Sequence, residues 1–508
     1  MLPRTRRFVS KGTSPHPSPR RGSFTHRCNY INVVLKRISS NPSIGLESPP
    51  WEGLEEASST MNKYIPHTPD DIRQMLDKIG VSAIDDLFAD IPASVRLQKE
   101  YDLPDPMSEE EIRAHFDALG AQNKRQVIFA GGGAYDHYTP SAIGALTSRS
   151  EFLTAYTPYQ PEISQGTLQY IFEYQSHICE LTGMDCTNAS MYDGATAAVE
   201  AIFMAVAQAK KKNRVLVSAT LNPAVLGVID TYAKFKGINV SLIPEVDGHT
   251  DRAAMQAMLA EGDVAGVLVA SPNYYGIIED YTGFADDVHA AKALLIMQCD
   301  PSALAVLKTP AAWGADIACG DGQPLGIPLS FGGPYVGFLA CKKELVRKLP
   351  GRIVGATKDV DGKRAFVLTL QAREQHIRRE KANSNICSNQ SLMALHITIY
   401  LALMGKQGLR EVNEQSYAAA HYLCDELVKT GLFAPAFPDA PFLKEFALRT
   451  TLPVKALQAH LAEKGYMAGI ALGDYREGMD DCILFCATER RTKEQIDELV
   501  SLIREVKL

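Results

Sequence analysis

VAGVLVAS, residues 264–271, is a run of eight small or apolar residues without a polar break. A half-buried strand alternates apolar with polar, so a continuous run means that both faces of the strand are covered. Three further runs share this character: RVLVSA (214–219), INVSLIP (238–244) and LLIMQCD (294–300). Helix-like segments such as PAVLGVIDTYAKFKG (223–237) separate them. From about 185 to 350 the alternation predicts βαβ units, and therefore a mostly parallel sheet with helices on both faces. GADIACG, GPYVGFLAC and KELVRKL, the last read as a helix, continue the pattern.

The flanks differ from this centre. In TPDDIRQMLDKIG (68–80), Thr68 is placed as an N-cap, Pro69 at the first helical position and two Asp in the first turn, with Gly80 as the stop. SEEEIRAHFDALG repeats the plan, with Ser108 and Glu111 at capping-box spacing. At the other end, FLKEFALRT, VKALQAHLAEKG, DCILFCAT and TKEQIDELVSLIREV predict a small α+β lobe. The Arg- and Asn-rich stretch near 370–420 reads as a long connecting helix. The expected organisation is an extension over 1–60 outside the fold, a helical segment 61–130, a large α/β domain 131–365, and a linking helix with the small α+β domain over 366–508. A large parallel-sheet domain with a smaller C-terminal lobe is the plan of aminotransferase-like (fold type I) enzymes that use pyridoxal phosphate, which is an analogy of fold only.

Composition narrows the function classes. The 508 residues are 46% hydrophobic and 22% charged, with no apolar run near the ~20 residues that span a bilayer, so a soluble chain without a membrane partner is expected. Ten scattered cysteines suit reduced thiols and argue against a metal site. The net charge is −7, yet residues 1–40 hold nine Lys/Arg and no acid, while Met61 onward holds 43 basic against 55 acidic residues. An acidic body argues against nucleic acid as a partner. The first sixty residues, rich in Pro, Ser and Arg, read either as a transit peptide or as sequence upstream of a true start at Met61.

Five stretches carry chemistry. YDGATAAVEAIFMAVAQA (192–209) opens a helix on a small turn, which suits either a phosphate or a plain N-terminus with Asp193 near the cap. Asp300 ends a buried strand where ligands of open α/β sheets bind; it is a candidate partner for a protonated pyridine nitrogen or an ordinary turn cap. Tyr156, Tyr159, Gln160 and Glu162 crowd a Pro-punctuated loop, suited to a pocket or, on spacing alone, to an interface. Arg373, His376, Arg378, Arg379 and Lys381 stand beside Glu374 and Glu380 and lead into Asn383 and Asn385, so this cluster is expected to be a site or a subunit contact. The fifth, CGDGQPLGIPLSFGGPYVGF (319–338), is shaped like a cofactor loop, but its centre is Gln323, which forms no imine.

SPNYYGIIED, GADIACGDGQPLGIPLSFGGPYVGF and FVLTLQAREQHIRREKANSNICSNQ closely resemble glycine decarboxylase, the P-protein of the glycine cleavage system. MNKYIPHTPDDIRQMLDKIG and LFCATERRTKEQIDELV resemble the opening and close of that family's N-terminal half, subunit 1 of its two-subunit form. The resemblance implies decarboxylation of glycine through pyridoxal phosphate and transfer of the aminomethyl group to the lipoyl arm of the H-protein. It also implies that the imine-forming lysine, and with it the cofactor, belongs to the partner subunit 2, in a heterotetramer of two copies of each subunit in the cytoplasm. Gln323 then stands where the lysine would be, Asp300 becomes a vestigial cofactor position, and Asn222 replaces an expected His before Pro223. Because the two-subunit form is prokaryotic, the upstream-start reading of 1–60 is preferred. The competing expectations are a self-sufficient pyridoxal-phosphate enzyme with an unrecognised lysine and a non-catalytic scaffold for the H-protein.

Overall fold

The computed structural model describes residues 66–506, apart from 98, 100, 154, 155, 383 and 385. The extension 1–60 and the candidates Asn383 and Asn385 therefore lie outside the described residues. The chain divides into two units, residues 1–109 and 110–508. In the first, the helix Pro69–Ile79 is set by its ends: Thr68 and Asp71 cap each other reciprocally, and Gly80 closes the helix with φ 89°.

The second unit is built on a seven-stranded sheet. Its order is Cys186–Thr187, Gly337–Cys341, Ile317–Asp321, Leu294–Cys299, Val264–Ser271, Arg214–Ser218, Asn239–Ile243. All pairings are parallel except those of Gly337–Cys341, which runs against both of its neighbours. Every residue of Val264–Ser271 is buried. On one face Val267 and Val269 join a core with Tyr174 and Ile178 of the helix Gln165–Thr182. On the other, Leu268 and Ala270 join Ala198 and Ile202 of the helix Gly194–Ala209. Two packed faces explain why the strand carries no polar alternation.

The small lobe is a four-stranded antiparallel sheet in the order Phe433–Pro435, Glu445–Thr450, Cys482–Cys486, Ile470–Ala471. Leu457 and Leu499, from the helices Val454–Glu463 and Lys493–Arg504, pack with Phe446 and Phe485 beneath it. The short strand Val127–Ile128 pairs in parallel with Tyr466–Met467, so the chain enters the site from the small lobe.

Two expectations are corrected. The long helix begins only at Ser391 and runs to Lys429, broken at Gly405 (φ 60°, ψ −173°). Residues 371–381 fold instead as three short turns, because Leu370 (φ 52°) and Arg379 (φ 54°) leave the helical region. KELVRKL forms a 3-10 turn, Lys343–Lys348, rather than an α-helix. By length and composition Ser391–Lys429 could cross a membrane, but Ala394, Leu395, Ile397 and Tyr400 lie in the protein's own core.

The loop after Ile317–Asp321 is fixed by close packing. Gly326 turns at φ 78°, and a Cβ there would stand 2.2 Å from the Tyr400 ring. Gly326→Ala is expected to cost about 2 kcal/mol or more from strain and overpacking. Urea denaturation should show a lower midpoint at unchanged slope.

Candidate active site

Gln323 is fully buried and its amide is fully engaged. Its Nε2 donates to the carbonyls of Tyr135 and Ile327, both at 2.8 Å, and its Oε1 accepts the Tyr135 N–H at 2.8 Å. A neutral amide is suited to this work, because it offers donors and an acceptor to a backbone that presents both. Gln323 therefore staples the loop 319–338 to the segment that arrives from the small lobe.

Asp300 follows the strand Leu294–Cys299, at its carboxyl end as expected, but its carboxylate is not free. Lys444, buried beside it, places Nζ 2.6 Å from Asp300 Oδ2. The same ammonium lies 2.9 Å from His137 Nε2 and 3.9 Å from the centre of the Tyr135 ring. His137 Nδ1 is 2.7 Å from Glu489 Oε2. An ammonium can only donate, so His137 Nε2 must accept and Nδ1 must carry the proton that Glu489 receives. Burial, reinforced by the Lys444 charge, pushes the His137 pKa down and keeps the ring neutral. Next to this chain, Glu445 Oε2 accepts the Tyr135 hydroxyl at 2.5 Å and its Oε1 accepts the Gly132 N–H at 2.6 Å. Burial raises the Glu445 pKa.

At the start of the helix Gly194–Ala209, Asp193 Oδ1 accepts the Thr196 N–H at 2.8 Å. The Gly194 N–H goes to Asp321 Oδ2 at 2.9 Å, while Asp321 Oδ1 accepts the Gln323 N–H at 2.8 Å. Burial pushes the Asp321 pKa up to about 6. Asn222 caps the helix Pro223–Lys236 through the Ala224 N–H at 2.9 Å and donates to the Gly132 carbonyl at 2.7 Å. Between these groups lies a cleft with room for about 290 Å³, lined among others by Gly133, Tyr274, Gln298 and Tyr335.

The residues of this cleft do not fit pyridoxal phosphate. An imine needs a lysine where Gln323 is bonded to backbone. Lys444, the lysine that the fold brings to this place, is engaged by Asp300 and His137. A pyridinium needs an unpaired acid where Asp300 already holds a cation. A phosphate needs free N–H groups where Gly194 and Thr196 already serve two carboxylates. Each cofactor-binding position is filled by a group of this chain.

The other residues singled out in the sequence lie elsewhere. Tyr156, Tyr159, Gln160 and Glu162 are exposed on the loop before the helix Gln165–Thr182; Arg352, which the sequence reading missed, donates from Nη2 to the Tyr159 hydroxyl at 3.2 Å. Arg373 is tied to backbone carbonyls: Nη2 to Gly351 at 2.8 Å, Nε to Leu370 at 3.0 Å, and Nη1 to Leu349. His376 Nδ1 is 3.6 Å from Glu374, and Arg378 is exposed. Lys444, Glu445, His137 and Glu489 were also missed. The adjacent charges in FLKEFALRT, set in an otherwise apolar strand, were the available signal.

A mostly parallel sheet with one reversed strand, joined to a small α+β lobe with an acid at the cleft, defines a protein of the aminotransferase-like, fold type I class. The family model for the glycine cleavage system P-protein matches residues 62–503, and the chain belongs to that family. It is similar to the "Probable glycine dehydrogenase (decarboxylating) subunit 1" of Moorella thermoacetica, at 52% identity over 443 residues, 87% of this chain and 99% of the relative. The relative of the same name in Anoxybacillus flavithermus is 49% identical over 443 residues, 87% of this chain and 98% of its own. Among solved structures, an inhibitor-bound glycine decarboxylase (P-protein) of the glycine cleavage system superposes with a TM-score of 0.78 at 44% identity, covering 88% of this chain and 100% of its own. A glutamate decarboxylase from Lactobacillus brevis, 14% identical with a TM-score of 0.61 over 82% of this chain and 98% of its own, shares the fold alone.

Lys444→Met leaves Asp300 buried without its cation, which should cost about 3–5 kcal/mol in chemical denaturation; Lys444→Met with Asp300→Asn should recover part of that loss. Asp321 supplies a pH test. Its folded pKa lies above the ordinary value of 3.8, so the folded state holds the proton more tightly and loses stability as pH rises through about 6. The contribution is on the order of 3 kcal/mol between pH 4 and 7. It should vanish from the pH profile of Asp321→Asn relative to the unchanged chain.

Proposed function

We propose that this chain is the lysine-less subunit of a glycine decarboxylase in the glycine cleavage system, completing an active site whose pyridoxal phosphate is held covalently by a second subunit. The observation that carries this reading is Gln323, whose amide is bound to the backbone of Tyr135 and Ile327 in a chain of this family. The "subunit 1" in the names of its relatives supports the existence of a second subunit. The reaction is decarboxylation of glycine followed by transfer of the aminomethyl group to the lipoyl group of the H-protein. Pyridoxal phosphate supplies the electron sink for loss of the carboxylate as carbon dioxide.

What this chain adds is surface. Tyr156, Tyr159 and Ile163 are 81%, 58% and 79% exposed on one loop, and clustered exposed apolar side chains favour a subunit contact. Arg352, beneath Tyr159, fixes the orientation of that ring through its 3.2 Å hydrogen bond. In a two-fold assembly of similar halves, a loop of one subunit borders the pocket of the other. Two copies of each subunit is the stoichiometry that accompanies this reading.

Pyridoxal phosphate mixed with the purified chain alone should give no internal-imine absorbance, and such a band would overturn the reading. Adding the second subunit should produce glycine–bicarbonate exchange. Tyr159→Phe, which removes the acceptor of a charged donor, should lower that exchange about tenfold without changing cofactor loading. Unchanged exchange in both Tyr159→Phe and Tyr156→Ala would instead favour a scaffold for the H-protein.

A further inference from the structure

Arg347, Arg373, Arg378 and Lys381 line one cup, with Leu370 and Ala372, that has room for about 280 Å³. Among the described residues no carboxylate lines it. The whole chain carries a net charge of −7, so four cations converging on one cup are a local arrangement. Like charges this close repel unless an anion joins them.

The cup is built rather than accidental. Arg373 forms a fixed side of it, held by the carbonyls of Leu349, Gly351 and Leu370. Those carbonyls orient the guanidinium without cancelling its charge. Arg347, Arg378 and Lys381 are exposed, and among the described residues none of them has an acid within ion-pair distance. Glu374, the acid next to Arg373 in sequence, lies 3.6 Å from His376 and acts on Arg373 through its charge without lining the cup. The backbone is strained on both sides: Leu370 has φ 52°, ψ 29°, and Arg379 has φ 54°, ψ −126°. Such conformations in residues with side chains persist where the surroundings over-determine them, and they concentrate at ligand clamps. The turn at Arg379 brings Arg378 and Lys381 to the same cup.

We infer that this cup binds a doubly charged tetrahedral oxyanion, either inorganic phosphate or the phosphate end of a small phosphomonoester. Two free guanidinium forks, Arg347 and Arg378, an ammonium and the fixed positive charge of Arg373 match an anion with three or four acceptor oxygens better than a single carboxylate with two. The inference stands on the geometry of the cup and is independent of the decarboxylase reading above.

The test is calorimetric titration of the full chain at low salt with inorganic phosphate, and in a second arm with glycerol phosphate. One saturable site is expected, with Arg347→Gln and Arg378→Gln each weakening it about tenfold or more. The triple variant with Lys381→Gln should bind nothing measurable, while its melting temperature without phosphate stays unchanged. Phosphate should raise the melting temperature of the unchanged chain and leave that of the triple variant where it was. An ester that binds at least tenfold tighter than phosphate identifies the phosphate end of a small molecule; equal affinity identifies the free anion. Absence of saturable phosphate binding, or a triple variant within twofold of the unchanged chain, overturns the proposal.

Discussion

The ion pair between Lys444 and Asp300 ties the small lobe to the carboxyl end of the central sheet, and the rest of the cleft is arranged around it. Both charges are buried, so each has lost hydration worth several kcal/mol, and attraction across 2.6 Å compensates only when the remaining donors and acceptors are also satisfied. Here they are. Asp300 Oδ1 takes the Ser302 N–H at 2.9 Å, and Lys444 donates to His137, which passes the polarity on to Glu489. A network of this kind tolerates little displacement of one lobe against the other, because a partly satisfied buried charge is worse than none.

That arrangement fills the cofactor positions of the fold from within the chain. The fold type I architecture leaves an acid at a strand end, a helix N-terminus facing the cleft and a glycine-rich loop beneath it. In this chain a lysine neutralises the acid, two carboxylates occupy the helix N-terminus, and an amide stitches the loop to the backbone. None of these groups disturbs the layers of the fold: the lysine and the two carboxylates keep the sign of the charge they stand in for, and the neutral amide pairs with backbone alone. Outside the cleft, the exposed aromatic loop 156–163 and the cationic cup at Arg347, Arg378 and Lys381 are also open to a partner or ligand.

Much of this was legible in the chain itself. Uninterrupted runs such as VAGVLVAS announce a doubly covered strand, and the change to shorter alternating units after 440 announces a separate lobe. Gln323 was legible as a residue without imine chemistry, and Asp193 as a cap. The stretch 371–381 was misread as helix because its residues have helical propensity; only the backbone at Leu370 and Arg379 reveals the turns.

What the sequence determined by itself is carried by short-range pattern: the strand runs, the capped helix from Thr68 to Gly80, the excluded chemistry of Gln323 and the family. What only the tertiary structure decided is which groups satisfy one another. Gln323 meets Tyr135 across 188 positions of chain, and Lys444 meets His137 across 307. Periodicity constrains which face of an element is buried, but it says nothing about which distant element covers that face. The identity of a buried charge's partner is fixed only when the lobes close on each other and water is excluded from between them.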